Sequence, residues 1–370
     1  MNILFDAKWF YTGNVSGRAV VINLINRFSL DFSSHTFYLI LDKRDKGKDF
    51  PFQSSNIELL YVNKIINNQI TNIFLAPRLR KLKIDIGVFQ YYAPIFSSFK
   101  TVVYIHDVIF MSNPEYFTLK ERIYFSSMRL FASLSDAIVT VSKTEIKRLR
   151  KYNFTPKSRL IDFVYNGVDD VFRSINTLSI NEINNIKGKY SLPDKFILYV
   201  GRLNERKNLS SLIESMNFIN DNKIKLVVIG SYDWKSFDLK HKIGELNLSS
   251  RIILLGHVNS NDLPIIYSIS TLFCYVSFAE GFGIPILEAL KSEIPVVASD
   301  LDVFKELFLD VPFYVDPNSP LSIATGINKV LLSDNSDRIA QGLKLAESFR
   351  WQASANKLVS FLEKVIQNYL

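Results

Sequence analysis

Short runs rich in β-branched residues alternate with longer stretches of helical spacing through almost the whole chain. Asn2–Asp6, Thr36–Leu41, Ile57–Val62, Asp85–Phe89, Val102–Ile105 and Ala137–Val141 predict strands, with helical segments such as Arg18–Phe28 and Leu119–Leu134 between them. After Phe172 a polar stretch from Arg173 to Lys195, rich in Asn, Ser and Lys, predicts a connection carrying one short helix. The alternation restarts with Phe196–Val200, Lys225–Ile229, Ile252–Leu255, Thr271–Tyr275 and Ile294–Ala298. Alternating β and α elements imply mostly parallel sheets covered by helices. The expected fold class is therefore α/β, with two doubly wound domains, 1–172 and 196–350, facing each other across a cleft at the carboxyl ends of their strands. Trp351–Leu370 carries Leu358, Phe361, Leu362, Val365 and Ile366 at helical spacing. It predicts a final helix that closes the second domain or crosses back to the first.

Composition agrees with two domains and removes several classes of function. A chain of 370 residues with 48% apolar and 22% charged residues is globular, and too long for one ordinary domain. Cys274 is the only cysteine, so an intramolecular disulfide and a thiolate zinc cluster are both excluded. His35, His106, His241 and His257 are scattered without HxxxH spacing, so no metal is expected. The start lacks the basic and apolar regions of a signal peptide, and no apolar run is long enough to span a bilayer, which predicts a cytoplasmic location. Charge is uneven: residues 1–172 hold 23 Lys and Arg against 15 Asp and Glu, whereas 173–370 hold 21 of each, so the whole net charge of +8 lies in the first half. Such a half suits an anionic partner or is simply a solvated basic surface. Its densest run is Arg78, Arg80, Lys81 and Lys83, interleaved with Leu79 and Leu82, the expected contact with an anionic membrane.

Four segments carry candidate chemistry. The stretch from Phe278 to Glu288 follows a predicted strand, where open α/β sheets bind ligands. Gly281 and Gly283 permit close backbone approach, Pro285 suits the first turn of a helix, and Glu280 and Glu288 offer carboxylates to several hydroxyls. Alternatively, Glu280 caps that helix and Glu288 is a helix-dipole partner. After the strand Phe196–Val200, Arg202 and Lys207 lie before a helix that Asn208 would cap. Two cations there oppose the helix dipole unless an anion such as a diphosphate lies between them. In the first domain, His106 and Asp107 stand at a strand tip, and the loop Thr12–Arg18 lacks the GxGxxG spacing of a dinucleotide fingerprint. Asp300 and Asp302 form a single DxD in an acidic turn.

Taken together, these segments resemble retaining glycosyltransferases of family 4, the group 1 transferases with the GT-B fold. Glu280 to Glu288 is similar to the family's E-x7-E element, including Gly281, Phe282, Gly283, Ile284 and Pro285. Arg202 and Lys207 match its phosphate-binding pair, and Tyr165–Asp169 matches the end of its first domain. His106-Asp107 followed by Pro114–Phe117 is similar to a subset building bacterial surface polysaccharides such as O-antigen or capsule. The resemblance implies transfer of a hexose, with mannose from GDP-mannose the first candidate, to a lipid-linked or oligosaccharide acceptor. It implies that Arg202 and Lys207 neutralise the departing diphosphate and that Glu280, Gly281, Phe282, Gly283 and Ile284 hold the donor sugar. It further implies that Glu288 accepts from the ribose, that His106 stabilises the reacting centre, and that Gly17, Arg18 and Asp107 face the acceptor. No metal or other cofactor is expected, and the workplace implied is the inner face of the cytoplasmic membrane, held peripherally. Two positions depart from the pattern: Ser16-Gly17-Arg18-Ala19 replaces a common Gly-Arg-Tyr, and Glu293 stands where Gly is common. A nucleotide-sugar epimerase or isomerase of similar fold, and a nucleic-acid-binding protein using the basic half, are the alternatives.

Overall fold

The computed structural model describes residues 1–368 apart from 14, 66–67, 76–78, 80, 95, 155–159 and 232–238. The chain divides into two units: Met1–Gly167 together with the segment from Arg350 onward, and Val168–Phe349.

Among the described residues the first unit holds a seven-stranded parallel sheet. Its strands are β1 (Asn2–Asp6), β2 (Thr36–Asp42), β3 (Ile57–Val62), β4 (Ile86–Gln90), β5 (Lys100–Ile105), β6 (Ala137–Thr140) and β7 (Leu160–Phe163), in the order β3-β2-β1-β4-β5-β6-β7. The central strands are buried on both faces, as parallel strands sheathed by helices must be, and this explains their continuous Val, Ile and Phe runs. The order reverses direction between β1 and β4, so the tips of these strands flank an opening in which side chains can gather.

The second unit's sheet comprises β8 (Phe196–Val200), β9 (Lys225–Ile229), β10 (Ile252–Gly256), β11 (Leu272–Tyr275), β12 (Val296–Ser299) and β13 (Phe313–Val315), ordered β10-β9-β8-β11-β12-β13. Here the reversal lies between β8 and β11, paired in parallel through Leu272 with Ile197 and Phe273 with Leu198. The segments following these two strands are those with Arg202 and Lys207, and with Glu280.

Several boundaries differ from the expectation. The units meet at Gly167 and Val168 instead of after Phe172. Gly167 packs so tightly on the final helix that a Cβ there would lie 2.4 Å from the Trp351 backbone nitrogen. That helix, Trp351–Gln367, belongs to the first unit: it packs along helix Val15–Asp31, where Arg27 bonds Gln352, and Ser354 Oγ donates to the Tyr165 carbonyl at 2.6 Å. Residues 173–195 are part of the second unit and not a connection between units. Their helix, Ile180–Tyr190, is closed by a Ser179–Glu182 capping box, buries Ile186, and holds Asp262 through Lys189 and Tyr190, each at 2.6 Å.

Three local expectations also change. Leu119–Leu134 is two helices, Leu119–Ser126 and Met128–Leu134, interrupted at Ser127. Gly17 and Arg18 lie in the opening turn of helix Val15–Asp31, not in a loop. In the basic run, Leu79 is buried and Leu82 packs against the same core as Leu75, so these leucines are not available to enter a membrane interface. Pro77, Arg78 and Arg80 lie outside the described residues. Among the described residues no helix is long and apolar enough to cross a membrane.

Candidate functional site

At the reversal in the second sheet, the tips of β8 and β11 bring opposite charges together out of water. The turn after β8 runs through Arg202 to a short 3-10 turn, Glu205–Lys207, whose backbone is held by the Asn204 side chain accepting from Lys207 N at 3.2 Å. The segment after β11 joins it when Phe278 N donates to the Arg206 carbonyl at 2.9 Å. Lys207 Nζ then meets Glu280 Oε1 at 2.5 Å, and Arg206 reaches Glu280 Oε2 at 3.1 Å. Lys207 also bonds the Tyr275 hydroxyl, its ammonium lying 4.8 Å from that ring's centre. Lys207 and Glu280 are both only 8% exposed, so the pair is screened little by solvent.

The electrostatics follow from that burial. Desolvation pulls the Lys207 ammonium down to about 8, although the Glu280 carboxylate opposes it. Burial works against ionisation of Glu280 too, but Lys207 and Arg206 outweigh it and hold the carboxyl at about 2. Arg202 is exposed beyond the strand tip, and its charge is felt at Lys207. Lys207 and Arg206 share the Glu280 carboxylate, with Arg202 close by, a concentration of positive charge that suits an anionic ligand such as a diphosphate.

Helix Ile284–Lys291 begins beside this cluster. Gly283 has φ +123°, and a Cβ there would lie 2.9 Å from the Phe304 ring, so no other residue fits without displacement. Pro285 occupies the first turn, as its lack of an N–H allows. Gly281 and Phe282 are buried, and Phe282 meets Phe349 edge-on at 6.0 Å. Ile284 and Glu288 are half-buried. Glu280 does not cap the helix; its carboxylate is engaged by Lys207 and Arg206. Glu288 accepts from the Tyr267 hydroxyl at 2.8 Å. Burial raises the Glu288 carboxyl to about 7, Asp169 adding to the rise and the Tyr267 hydrogen bond opposing it.

Asn208 does not cap the following helix. Its backbone is left-handed at φ +55°, and its side chain donates to the carbonyls of Val276 and Pro317 at 2.9 and 2.7 Å. Asn tolerates that conformation better than most residues, and here it ties the β8 turn to the end of β11. Asp300 is paired with Lys305 and Asp302 opens helix Asp302–Phe308, so both serve local structure. Among the described residues no group of three or more His, Cys, Asp or Glu side chains could hold a metal ion.

The first unit gathers its own cluster where β1, β4 and β5 end. His106 hydrogen-bonds Gln90 through Nε2 at 2.8 Å and stacks on Tyr104, with centroids 4.7 Å apart and planes 6° from parallel. Trp9 and Tyr91 enclose the ring at 5.3 and 5.8 Å. This burial lowers the imidazole to about 4, against the pull of Asp107, so the ring is neutral at physiological pH. Asp107 accepts from Ile109 N at 3.2 Å, and Val108 N donates to the buried Glu145 at 2.8 Å. Burial raises Glu145 to about 8, with Arg148 opposing the shift. Next to the cluster, buried Lys8 bonds Asp6 and Asn72. Gly17 is buried and Arg18 exposed on helix Val15–Asp31.

Sequence reasoning did not select Arg206, Tyr267, Tyr275 or Glu145. Arg206 adjoins Lys207 and was findable from that adjacency alone. The tyrosines read as core, and Glu145 sits among surface-like charges.

Comparison with known proteins places these features in context. The family described as Glycosyl transferases group 1 matches residues 181–344, and Glycosyltransferase Family 4 matches residues 35–172. The chain is 30% identical over 272 residues to O-antigen chain mannosyltransferase B of Escherichia coli, covering 70% of this chain and 69% of that protein. It is 27% identical over 358 residues to the N-acetylgalactosamine-N,N'-diacetylbacillosaminyl-diphospho-undecaprenol 4-alpha-N-acetylgalactosaminyltransferase of Campylobacter jejuni, covering 87% and 88%. Among solved structures, Anabaena Alr3699/HepE in complex with UDP and glucose shares the fold at a TM-score of 0.73 and 18% identity, covering 98% of this chain and all of that one.

Proposed function

The chain belongs to glycosyltransferase family 4, among the group 1 glycosyl transferases with the GT-B fold, and from that premise we propose that it moves mannose from GDP-mannose, with retention and without a metal, onto a lipid-linked or oligosaccharide acceptor of a bacterial surface polysaccharide. The observation carrying this reading is the convergence of Lys207, Arg206 and Arg202 on Glu280 at the reversal between β8 and β11. The Campylobacter jejuni relative, matched over 87% of this chain, is named for a diphospho-undecaprenol-linked sugar, which supports a lipid-linked acceptor, and the O-antigen mannosyltransferase supports the sugar.

In this reading, Arg202 and Lys207, joined by Arg206, take up the charge that grows on the diphosphate as the bond from the sugar's C1 to phosphate oxygen breaks. Preorganised cations of this kind contribute on the order of 3–4 kcal/mol each to lowering a barrier. Glu280 and the Gly281–Gly283 backbone orient the sugar hydroxyls, with Phe282 and Ile284 shaping that wall. Glu288, fixed by Tyr267, accepts from the ribose. The acceptor hydroxyl attacks C1 from the face the diphosphate leaves, and its proton passes to the departing phosphate oxygen. Neutral His106 stabilises the reacting centre by hydrogen bonding and does not act as a nucleophile. Asp107, Gly17 and Arg18 serve the acceptor. The Arg and Lys side chains supply the positive charge that a metal would otherwise bring.

Calorimetric titration with GDP, UDP and ADP tests the donor assignment. GDP should bind tightest, and Lys207→Ala should abolish that binding. Equal affinity for all three diphosphates, or binding indifferent to Lys207, would contradict it.

A further inference from the structure

Strand β4 ends on Gln90, which is paired in register with Tyr104 of β5 and is only 1% exposed. Its main chain is held from both sides. Gln90 N donates to Asp6 Oδ2 at 3.3 Å, and the Gln90 carbonyl accepts from Tyr92 N at 2.8 Å, closing a three-residue turn. Asp6 is in turn engaged by buried Lys8 and Asn72. Tyr91, in the middle of that turn, takes φ +64°, a left-handed backbone that a bulky residue adopts only where its surroundings enforce it. Strain of this kind clusters beside functional groups, and here the Tyr91 ring meets His106 edge-on.

The Gln90 amide bonds a single side chain, that of His106. Its Oε1 lies 2.8 Å from the ring's Nε2, and an amide oxygen only accepts, so the ring carries its proton on Nε2 and its lone pair on Nδ1. Among the described residues no protein group bonds that Nδ1. The other end of the amide, the Gln90 Nε2, is buried without a protein partner among the described residues. A buried unpaired amide group is costly, and a leucine would fill this position without that cost, so the bond to His106 is what the glutamine brings. The parallel stack on Tyr104 sets the plane of the ring, and the amide sets which nitrogen faces the buried side.

We propose that Gln90 is a positioning residue for transfer: by accepting from the His106 Nε2–H it fixes the neutral tautomer whose Nδ1 accepts a hydrogen bond from a hydroxyl of the sugar or of the acceptor. The inference rests on the functional reading above, in which His106 serves the reacting centre. It adds which nitrogen works and in which direction the hydrogen bond runs. Accepting needs the lone pair, so protonation of the ring ends it, and burial postpones that protonation by holding the imidazole at about 4. Asp107 is the charge that opposes this shift. Tyr91 and Tyr104 border the ring, Asp6 and Lys8 pair with each other at the Gln90 main chain, and Glu145 is engaged by Val108 N and Arg148.

Nitrogen-15 NMR of the full chain labelled at histidine reads the tautomer at pH 7, the His106 signals being those missing from His106→Gln. Wild type should show a protonated Nε2 and a bare Nδ1. Gln90→Leu should lose that fixed state and lower transfer about 10–100-fold, the usual effect of removing a group that orients a functional histidine, with a melting curve to establish the fold. A raised KM for GDP-mannose would assign the hydroxyl to the donor sugar, and a raised KM for the acceptor would assign it to the acceptor. Gln90→Glu keeps an accepting oxygen in place, so it should keep the tautomer and restore transfer at pH 8. Its carboxylate also favours the imidazolium, which should move the acid limb of the pH–rate profile to higher pH. A glutamine that served only the fold would shift neither the spectrum nor that limb. Should Gln90→Leu not fold, the wild-type spectrum and the Gln90→Glu profile decide. A wild-type ring protonated on Nδ1, a tautomer unchanged in Gln90→Leu, or transfer indifferent to that substitution would overturn the proposal. The spectra need no substrate, so a ring fixed by Gln90 in a chain inert to GDP-mannose would contradict the functional reading while upholding the hold on His106.

Discussion

Glu280→Gln removes a single negative charge from a site in which buried Lys207 and half-buried Arg206 both engage it. Lys207 lies 2.5 Å from one carboxylate oxygen and Arg206 3.1 Å from the other. Breaking a buried pair by neutralising one partner costs about 3–5 kcal/mol, because the remaining charge is left without compensation. Lys207 can escape part of that cost by losing its proton. Burial already holds it at about 8, and Glu280 is the group that raises it, so its value falls further in the variant. The loss should therefore be about 3 kcal/mol at pH 6, where an ammonium is most strongly favoured by solvent, and distinctly smaller at pH 9. In the wild type the signs are separate. The Glu280 contribution is complete above the ordinary value of 4.5 and is lost as pH falls toward 2. Lys207 binds fewer protons folded than unfolded between about 8 and 10.5, so stability gains from it as pH rises through that window. Lys207→Met should cost less than Glu280→Gln, since Arg206 still serves the carboxylate, and the double variant should fall short of the sum by about 0.5–3 kcal/mol. Urea unfolding of the four proteins at pH 6, 7.5 and 9, followed by circular dichroism, measures all of these. Strict additivity at every pH, or a Glu280→Gln variant as stable as wild type, would refute the coupling.

Other consequences of the site can be checked separately. Arg202→Ala should reduce transfer by roughly 10²–10³-fold while leaving stability within about 0.5 kcal/mol, because the side chain is exposed and acts on developing charge; turnover beside a melting curve reads both. Glu288→Ala should weaken GDP binding by at least about tenfold, and Tyr267→Phe by less, in calorimetry. Since burial places Glu288 at about 7, its contribution to fold stability is greatest below 4.5 and is lost as pH rises through 7, whereas its strength as an acceptor grows over the same range. GDP affinity of the wild type should accordingly rise between pH 6 and 8, and that rise should vanish in Glu288→Ala. Transfer should persist in excess EDTA; complete loss restored by magnesium would replace the cationic side chains with a metal in the mechanism.

Much of this was readable from residue order, and the exceptions have identifiable physical causes. The parallel sheets announced themselves because strands buried on both faces are continuous apolar runs, as in Val102–Ile105 and Phe196–Val200. The strands Leu160–Phe163 and Phe313–Val315 went unread because they are short edge strands that stay mostly half-buried, so no continuous apolar run marks them. Arg202, Lys207, Glu280 and Glu288 stood out because charge and glycine cluster where a strand hands over to a helix. That Lys207 and Glu280 would bond each other was not visible, since the pairing depends on β8 and β11 being neighbours although the two residues are 73 positions apart. Asn208 reads as a cap, yet its left-handed backbone turns the side chain toward Val276 and Pro317. Glu293, in place of a common Gly, takes a left-handed φ of +58°, a turn that the sequence could suggest but not measure. The leucines near residue 80 matched an interfacial pattern as well as a core one, because helical spacing is the same for both.

In the proposed function this chain transfers a hexose from a nucleoside diphosphate sugar with retention, using the cations beside Glu280. The most direct measurement incubates the full chain with GDP-mannose and a diphospho-undecaprenol-linked acceptor and reads the anomeric configuration of the new linkage by NMR together with GDP release. Acceptor-dependent GDP release, an α-linked mannose like that of the donor, and loss of both in Lys207→Ala are expected. A β-linked product, or GDP release that proceeds equally in Lys207→Ala, would contradict it.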